Sequence, residues 1–158
     1  MHRKQRPGFS LVELVIVIVI LAIISAIALP RVGRGAKGAD ESALGQNLAI
    51  MRSAIEMYAA EHAGSFPGDE IVDQLTKYTD RSGATSDTKT ATHLYGPYLL
   101  RIPPLTVGPN AGKNDIAVVT TGPTAGGATG WVYNKNTGKI IANCNLQDES
   151  GTRTYDTW

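Results

Sequence analysis

The sequence predicts an α+β chain in which one long N-terminal helix, half membrane-spanning and half amphipathic, packs on a small antiparallel sheet. Three observations predict it. An apolar run fills residues 9–29, a 3.6-residue apolar period follows over 39–62, and short strand-like runs separated by Gly- and Asn-rich turns occupy the last third. At 158 residues the chain has room for one domain of ordinary size beyond such a helix.

The apolar run is 29 − 9 + 1 = 21 residues long and polar only at Ser10, Glu13 and Ser25. As a helix it would extend roughly 32 Å, about the hydrocarbon thickness of a bilayer. Val and Ile are only modest helix formers. In lipid, however, a single segment can satisfy its backbone in no other way. His2, Arg3, Lys4 and Arg6 precede the run and would stay on the cytoplasmic side, placing everything after Leu29 outside. The whole chain carries 15 basic and 14 acidic residues, a balance that points to neither nucleic acid nor an anionic surface as partner. Loss of residues 1–8 would remove three basic residues and leave 12 against 14, a net of −2, so the basic excess belongs to a leader.

Two readings of the run compete. One is a removable secretory signal, with Ala26-Ile27-Ala28 as an A-x-A cleavage site. The other is a retained anchor cut ahead of the run. Its length exceeds the usual signal core of about 7–15 residues, and Pro7-Gly8 breaks the helix at the water boundary, leaving an extended peptide for a protease. Glu13 favours the anchor. An acid inside a membrane segment costs on the order of 2–3 kcal/mol and therefore wants a partner. Cleavage between Gly8 and Phe9 would free an α-amino group whose ordinary pKa is about 7.7–8, with Glu13 one helical turn away and close to the positive end of the helix dipole. In a polymer, the amine of a neighbouring copy could serve equally well.

Gly8-Phe9-Ser10-Leu11-Val12-Glu13 ahead of an apolar run resembles the prepilin N-terminal motif of type IV pilins and type II secretion pseudopilins. The resemblance covers roughly residues 3–31. It implies cleavage after Gly8 by a prepilin peptidase, N-methylation of Phe9 by the same enzyme, and pairing of Glu13 with the amino terminus of an adjacent protomer. Phe9, Glu13 and Pro30 are then the assembly residues. It also implies a single-pass protein of the bacterial inner membrane with a periplasmic globular domain of pilin-like fold. The expected partners are further copies of the chain, other pseudopilins, the prepilin peptidase/N-methyltransferase and an inner-membrane assembly platform. The function so implied is that of a structural subunit of a type II secretion pseudopilus. A type IV pilus subunit and a minor tip or adhesive pilin are the alternatives, the latter offering Tyr95, Tyr98, Trp131 and Trp158 as contacts. Many type IV pilins carry a C-terminal disulfide, which this chain cannot form, and tip subunits often lack the acid at Glu13.

Beyond the run, Pro30 removes an amide that would bond to the carbonyl of Ala26, so a kink is expected. Gly33, Gly35 and Gly38 follow, and residues 30–38 read either as a soft section or as a plain helix of low local stability. From 39 to 158 a globular domain is expected. Leu44, Leu48, Met51, Ile55 and Tyr58 share one helical face, Glu41, Gln46, Arg52, Glu56 and Glu61 supply a polar side, and Met51 and Met57 read as core fillers. Ser65-Phe66-Pro67-Gly68 predicts a turn. A short helix from Asp69-Glu70 to about Tyr78 would then make apolar contacts through Ile71, Val72 and Leu75. Residues 79–92 read as loop, and 95–104 as ordered coil limited by Pro to a sheet edge.

Strands are expected at 116–119, 130–133 and 139–142, the last two joined by a hairpin loop at 134–138. Trp131, Tyr133, Ile140 and Ala142 would point inward. The Gly-x-Phe-Pro step after the helix and Trp-x-Tyr-Asn…Thr-Gly-x-Ile are similar to corresponding parts of major pseudopilins.

Enzymatic chemistry finds no carrier. His2, His62 and His93 lack metal-ligand spacing, no nucleophile-elbow or Walker pattern occurs, and the Gly-rich stretch 122–130 leads into a strand, not a helix N-terminus. The single cysteine, Cys144, excludes an intramolecular disulfide and reads as a small buried hydrophobe. No cofactor is expected. The tail Asp148-Glu149-Ser150…Asp156 offers oxygen ligands in a region where some major pseudopilins hold calcium, yet its spacing is not that of an EF-hand, and a solvated tail is the simpler expectation.

Overall fold

The computed structural model describes residues 9–158, apart from the side chains of 27–34. The chain divides into two compact units, Met1–Gly38 and Ala39–Trp158. Helix α1, Leu11–Glu61, includes residues 30–38. The side chain of Pro30 lies outside the described residues.

In the first unit every large apolar side chain among residues 9–24 is exposed, from 44% at Val15 to 79% at Phe9 and Leu11. A bare apolar surface of this kind requires lipid or protein around it. Among the described residues no helix is long and apolar enough to cross a membrane. The described side chains stop at Ala26, three residues before the apolar run ends.

In the second unit, the 3.6-residue period places Leu44, Leu48, Met51, Ile55 and Tyr58 in the core, each at most 3% exposed. Met57, expected to fill the core, is exposed because it sits on the opposite face. The helix stops where Ala63 and Gly64 turn to positive φ and the Gly64 amide donates back to the Ala59 carbonyl at 2.7 Å. Helix α2, Ile71–Thr76, is shorter than expected, since Tyr78–Thr79 forms a strand instead. Ile71 and Leu75 are buried while Val72 faces outward.

The 79–92 region contains a strand pairing that its polar composition hid. β1, Tyr78–Thr79, pairs antiparallel with β2, Thr85–Ser86, around an Asp80 carboxylate that accepts hydrogen bonds from the Ser82 and Ala84 amides. The main sheet has the order β3, Ile116–Val119; β4, Trp131–Asn134; β5, Ile140–Ala142. β4 and β5 form the expected antiparallel hairpin, with Trp131 opposite Ala142 and Tyr133 opposite Ile140.

β3, however, runs parallel to β4, so the sheet is mixed and not purely antiparallel. The connection at 120–130 carries the chain back from the end of β3 to the start of β4 without a helix. Side-chain amides hold it in place. Asn143 Nδ2 donates to the Gly126 and Thr129 carbonyls at 2.9 and 2.8 Å, and Asn134 Nδ2 donates to the Thr121 carbonyl.

Trp131, Tyr133, Ile140 and Ala142 share one core with the Leu44–Tyr58 face of α1, as their alternation predicts. Val132 and Ile141, on the other face of the sheet, are also buried, at 3% and 2% exposure. The hairpin is thus covered on both sides.

Candidate processing and assembly site

The candidate site is the start of α1. Phe9 precedes the helix, outside regular secondary structure, and is 79% exposed. Gly8, the other residue of the expected scissile bond, lies outside the described residues. The Leu14 amide donates to the Ser10 carbonyl at 3.2 Å, which makes Ser10 the N-cap position. Glu13, three residues on, reaches back so that its Oε2 accepts from the Ser10 amide at 2.9 Å.

This is the reciprocal half of a capping box, an acid at the third helical position bonding the N-cap amide. The sequence expectation for Glu13, a countercharge near the positive end of the helix dipole, missed the cap, although the Ser10-x-x-Glu13 spacing was its signal. The carboxylate has further acceptor capacity after taking the Ser10 N–H, since an ionised carboxylate offers about four lone-pair sites. Capping its own helix and meeting a cation are therefore compatible.

Away from this end, the residues weighed for other roles serve the fold. Trp131 is fully buried and donates from Nε1 to the Pro103 carbonyl at 2.9 Å, so it offers no contact surface to an adhesive partner. Tyr98 donates to Glu61 Oε2 at 2.5 Å, and burial together with that carboxylate pushes its hydroxyl well above the usual tyrosine range. His62, left unassigned by the sequence, is buried and stacked on Tyr58 with ring centroids 3.8 Å apart. Its ring nitrogens lie 2.8 Å from the Tyr58 carbonyl and 2.9 Å from the Asp80 carbonyl, tying the end of α1 to the β1–β2 turn.

Cys144 is buried and free. In the tail, Asp148 Oδ1 is occupied by Ser150 Oγ and the Thr152 amide, and a hydrogen bond from Ser150 leads the contributions that hold its carboxyl below the ordinary Asp value. Among the described residues no three His, Cys, Asp or Glu groups converge as metal ligands.

No curated protein and no solved structure matches the chain. Residues 3–29, the basic start and the apolar run, match the family model of the prokaryotic N-terminal methylation motif, which supports a type IV pilin-like precursor of the kind processed by prepilin peptidase.

Proposed function

We propose that the chain is a structural subunit of a type II secretion pseudopilus. The observation that carries this reading is the methylation motif at residues 3–29. The exposed apolar surface of residues 9–24, which has to be covered by lipid before assembly and by other copies after it, supports the motif. On this reading residues 1–8 are a cytoplasmic leader, 9–29 cross the inner membrane once, 30–38 connect, and 39–158 form the periplasmic domain. Prepilin peptidase cuts between Gly8 and Phe9 and methylates the Phe9 nitrogen. Glu13 then receives the amino terminus of a neighbouring subunit, with Pro30 at the far end of the packed segment.

The subunit takes no cofactor and performs no catalysis. Its partners are its own copies, other pseudopilins, the processing enzyme and the inner-membrane assembly platform. The intact mass of the mature chain tests the reading. A methylated chain beginning at Phe9 is expected, whereas a chain beginning at Leu29 would identify an ordinary signal peptide. Imaging separates the related assemblies, since long surface fibres of this protein would make it a pilus subunit.

A further inference from the structure

Residues 146–158 fold back as a strap on the second-unit length of α1. The strap holds its own shape through local bonds. The Asp148 amide donates to the Arg153 carbonyl at 2.8 Å and the Tyr155 amide to the Leu146 carbonyl at 3.1 Å, closing a narrow loop in which Gln147 bridges Thr154. A single 3-10 turn, Tyr155–Thr157, follows.

Three residues of α1 receive it. Glu41 Oε1 accepts both the Glu149 amide, at 2.6 Å, and the Tyr155 hydroxyl, at 2.8 Å. Gly45 lies under the Trp158 ring, whose nearest atom is 3.9 Å from where a Cβ would stand, so a side chain much longer than alanine would lift the ring. Arg52 Nη2 donates to the main-chain oxygen of Trp158 at 2.6 Å. Steps of four and seven residues put 41, 45 and 52 on one helical face. Tyr155, 3% exposed, anchors the strap in the core, and the Arg153 guanidinium lies 5.5 Å from the centre of the Trp158 ring.

Against these contacts stands a cost found nowhere else among the described residues. The two buried side-chain polar atoms without a hydrogen-bond partner are Asp156 Oδ1 and Trp158 Nε1, and both belong to the strap. Closing it takes both atoms out of water without replacing their bonds, which is unfavourable. Opening it would return them to solvent.

We propose that residues 146–158 form a latch that opens as a unit while β3, β4 and β5 stay folded, with Glu41 as its catch. The local bonds keep the strap together when it lifts. The orphaned atoms make lifting less costly than unfolding the sheet, and local opening of this kind is the rule for the weakest-held part of a domain. Opening uncovers the Glu41–Gly45–Arg52 face of α1. The inference stands on the second unit alone and does not require the pilin-like reading.

Amide-resolved hydrogen exchange on the full chain in detergent micelles tests it. The hydrogen-bonded amides of Asp148, Glu149 and Tyr155 should exchange at least about tenfold faster than the ladder amides of β4 and β5. Glu41→Ala should speed the three strap amides by a further tenfold or so and leave the ladder unchanged, whereas Glu41→Gln, which keeps one oxygen acceptor, should restore much of the protection. Equal protection of strap and ladder in the unaltered chain would overturn the proposal, whether or not Glu41→Ala folds. Glu41→Ala accelerating both regions alike, or neither, would also overturn it.

Discussion

The ring of Phe66 rests directly on Gly138. A Cβ built on that glycine would stand 2.5 Å from Cε1 and 2.7 Å from Cδ1 of the ring. Neighbouring bonds tighten the same junction, since the Tyr133 hydroxyl donates to the Pro67 carbonyl at 3.0 Å and Lys135 pairs with Asp69 at 2.7 Å. The turn that follows α1 thus grips the β4–β5 hairpin at its tip.

Gly138→Ala should therefore destabilise the second unit by about 2 kcal/mol, from the clash together with a φ of +71° that alanine resists. Denaturant unfolding of the full chain in detergent measures it. Phe66→Ala in the same chain should relieve most of the clash, so the double variant should lose less than the sum of the two single ones. Strict additivity would show that ring and glycine are not coupled.

Glu13→Gln separates the two roles of that side chain. It keeps an acceptor for the Ser10 amide and loses the charge. On the proposed function, Glu13→Gln and Glu13→Ala should both be processed and both fail to assemble, with helicity at the start of α1 reduced only in the alanine variant. Normal filaments from Glu13→Gln would remove the charge-pairing account and leave the cap as the sole role of the residue.

On the proposed function, Gly8→Ala should slow or block removal of residues 1–8, because Gly8 is the residue before the cut. Retention of residues 1–8 in the intact mass is the expected result. Unchanged processing would mean that the cut lies elsewhere.

Alkaline pH should weaken the second unit. Tyr98, Tyr133 and Tyr155 have hydroxyls raised above the ordinary value near 10, in each case chiefly by burial, with the carboxylates of Glu61 and Glu41 adding to the effect at Tyr98 and Tyr155. A group whose folded pKa is raised favours folding in its protonated form. Its contribution is whole below the unfolded value and declines as pH rises above it. Stability should be flat up to about pH 10 and fall beyond, and Tyr133→Phe should make the fall shallower. A profile unchanged in the variant would count against the linkage.

Asn143→Ala should loosen the 120–130 crossover. The buried amide donates to Gly126 and Thr129 and accepts from the Gly126 amide, so removing it strands several groups at once, at a cost of about 2–3 kcal/mol. Faster exchange confined to residues 120–130 and β3 is the expected signature, with β4 and β5 little affected.

Taken by itself, the amino-acid order determined the elements whose signal is local. The apolar run, the Leu44–Tyr58 stripe, the β4–β5 hairpin and the Gly8-Phe9…Glu13 motif each lie within a few turns or strand repeats, where period and residue type speak directly. Tertiary structure alone decided what depends on residues far apart in the chain. Whether β3 lies parallel or antiparallel to β4 is a matter of where the 120–130 connection is held, and that is settled by Asn134 and Asn143 from other elements. The same holds for the burial of Val132 and Ile141, for the seat of Phe66 on Gly138, and for Glu41, which reads as surface charge on a helix yet holds residues 149 and 155. Local pattern says which face of an element is apolar or polar. What that face meets is chosen only when the whole chain has closed.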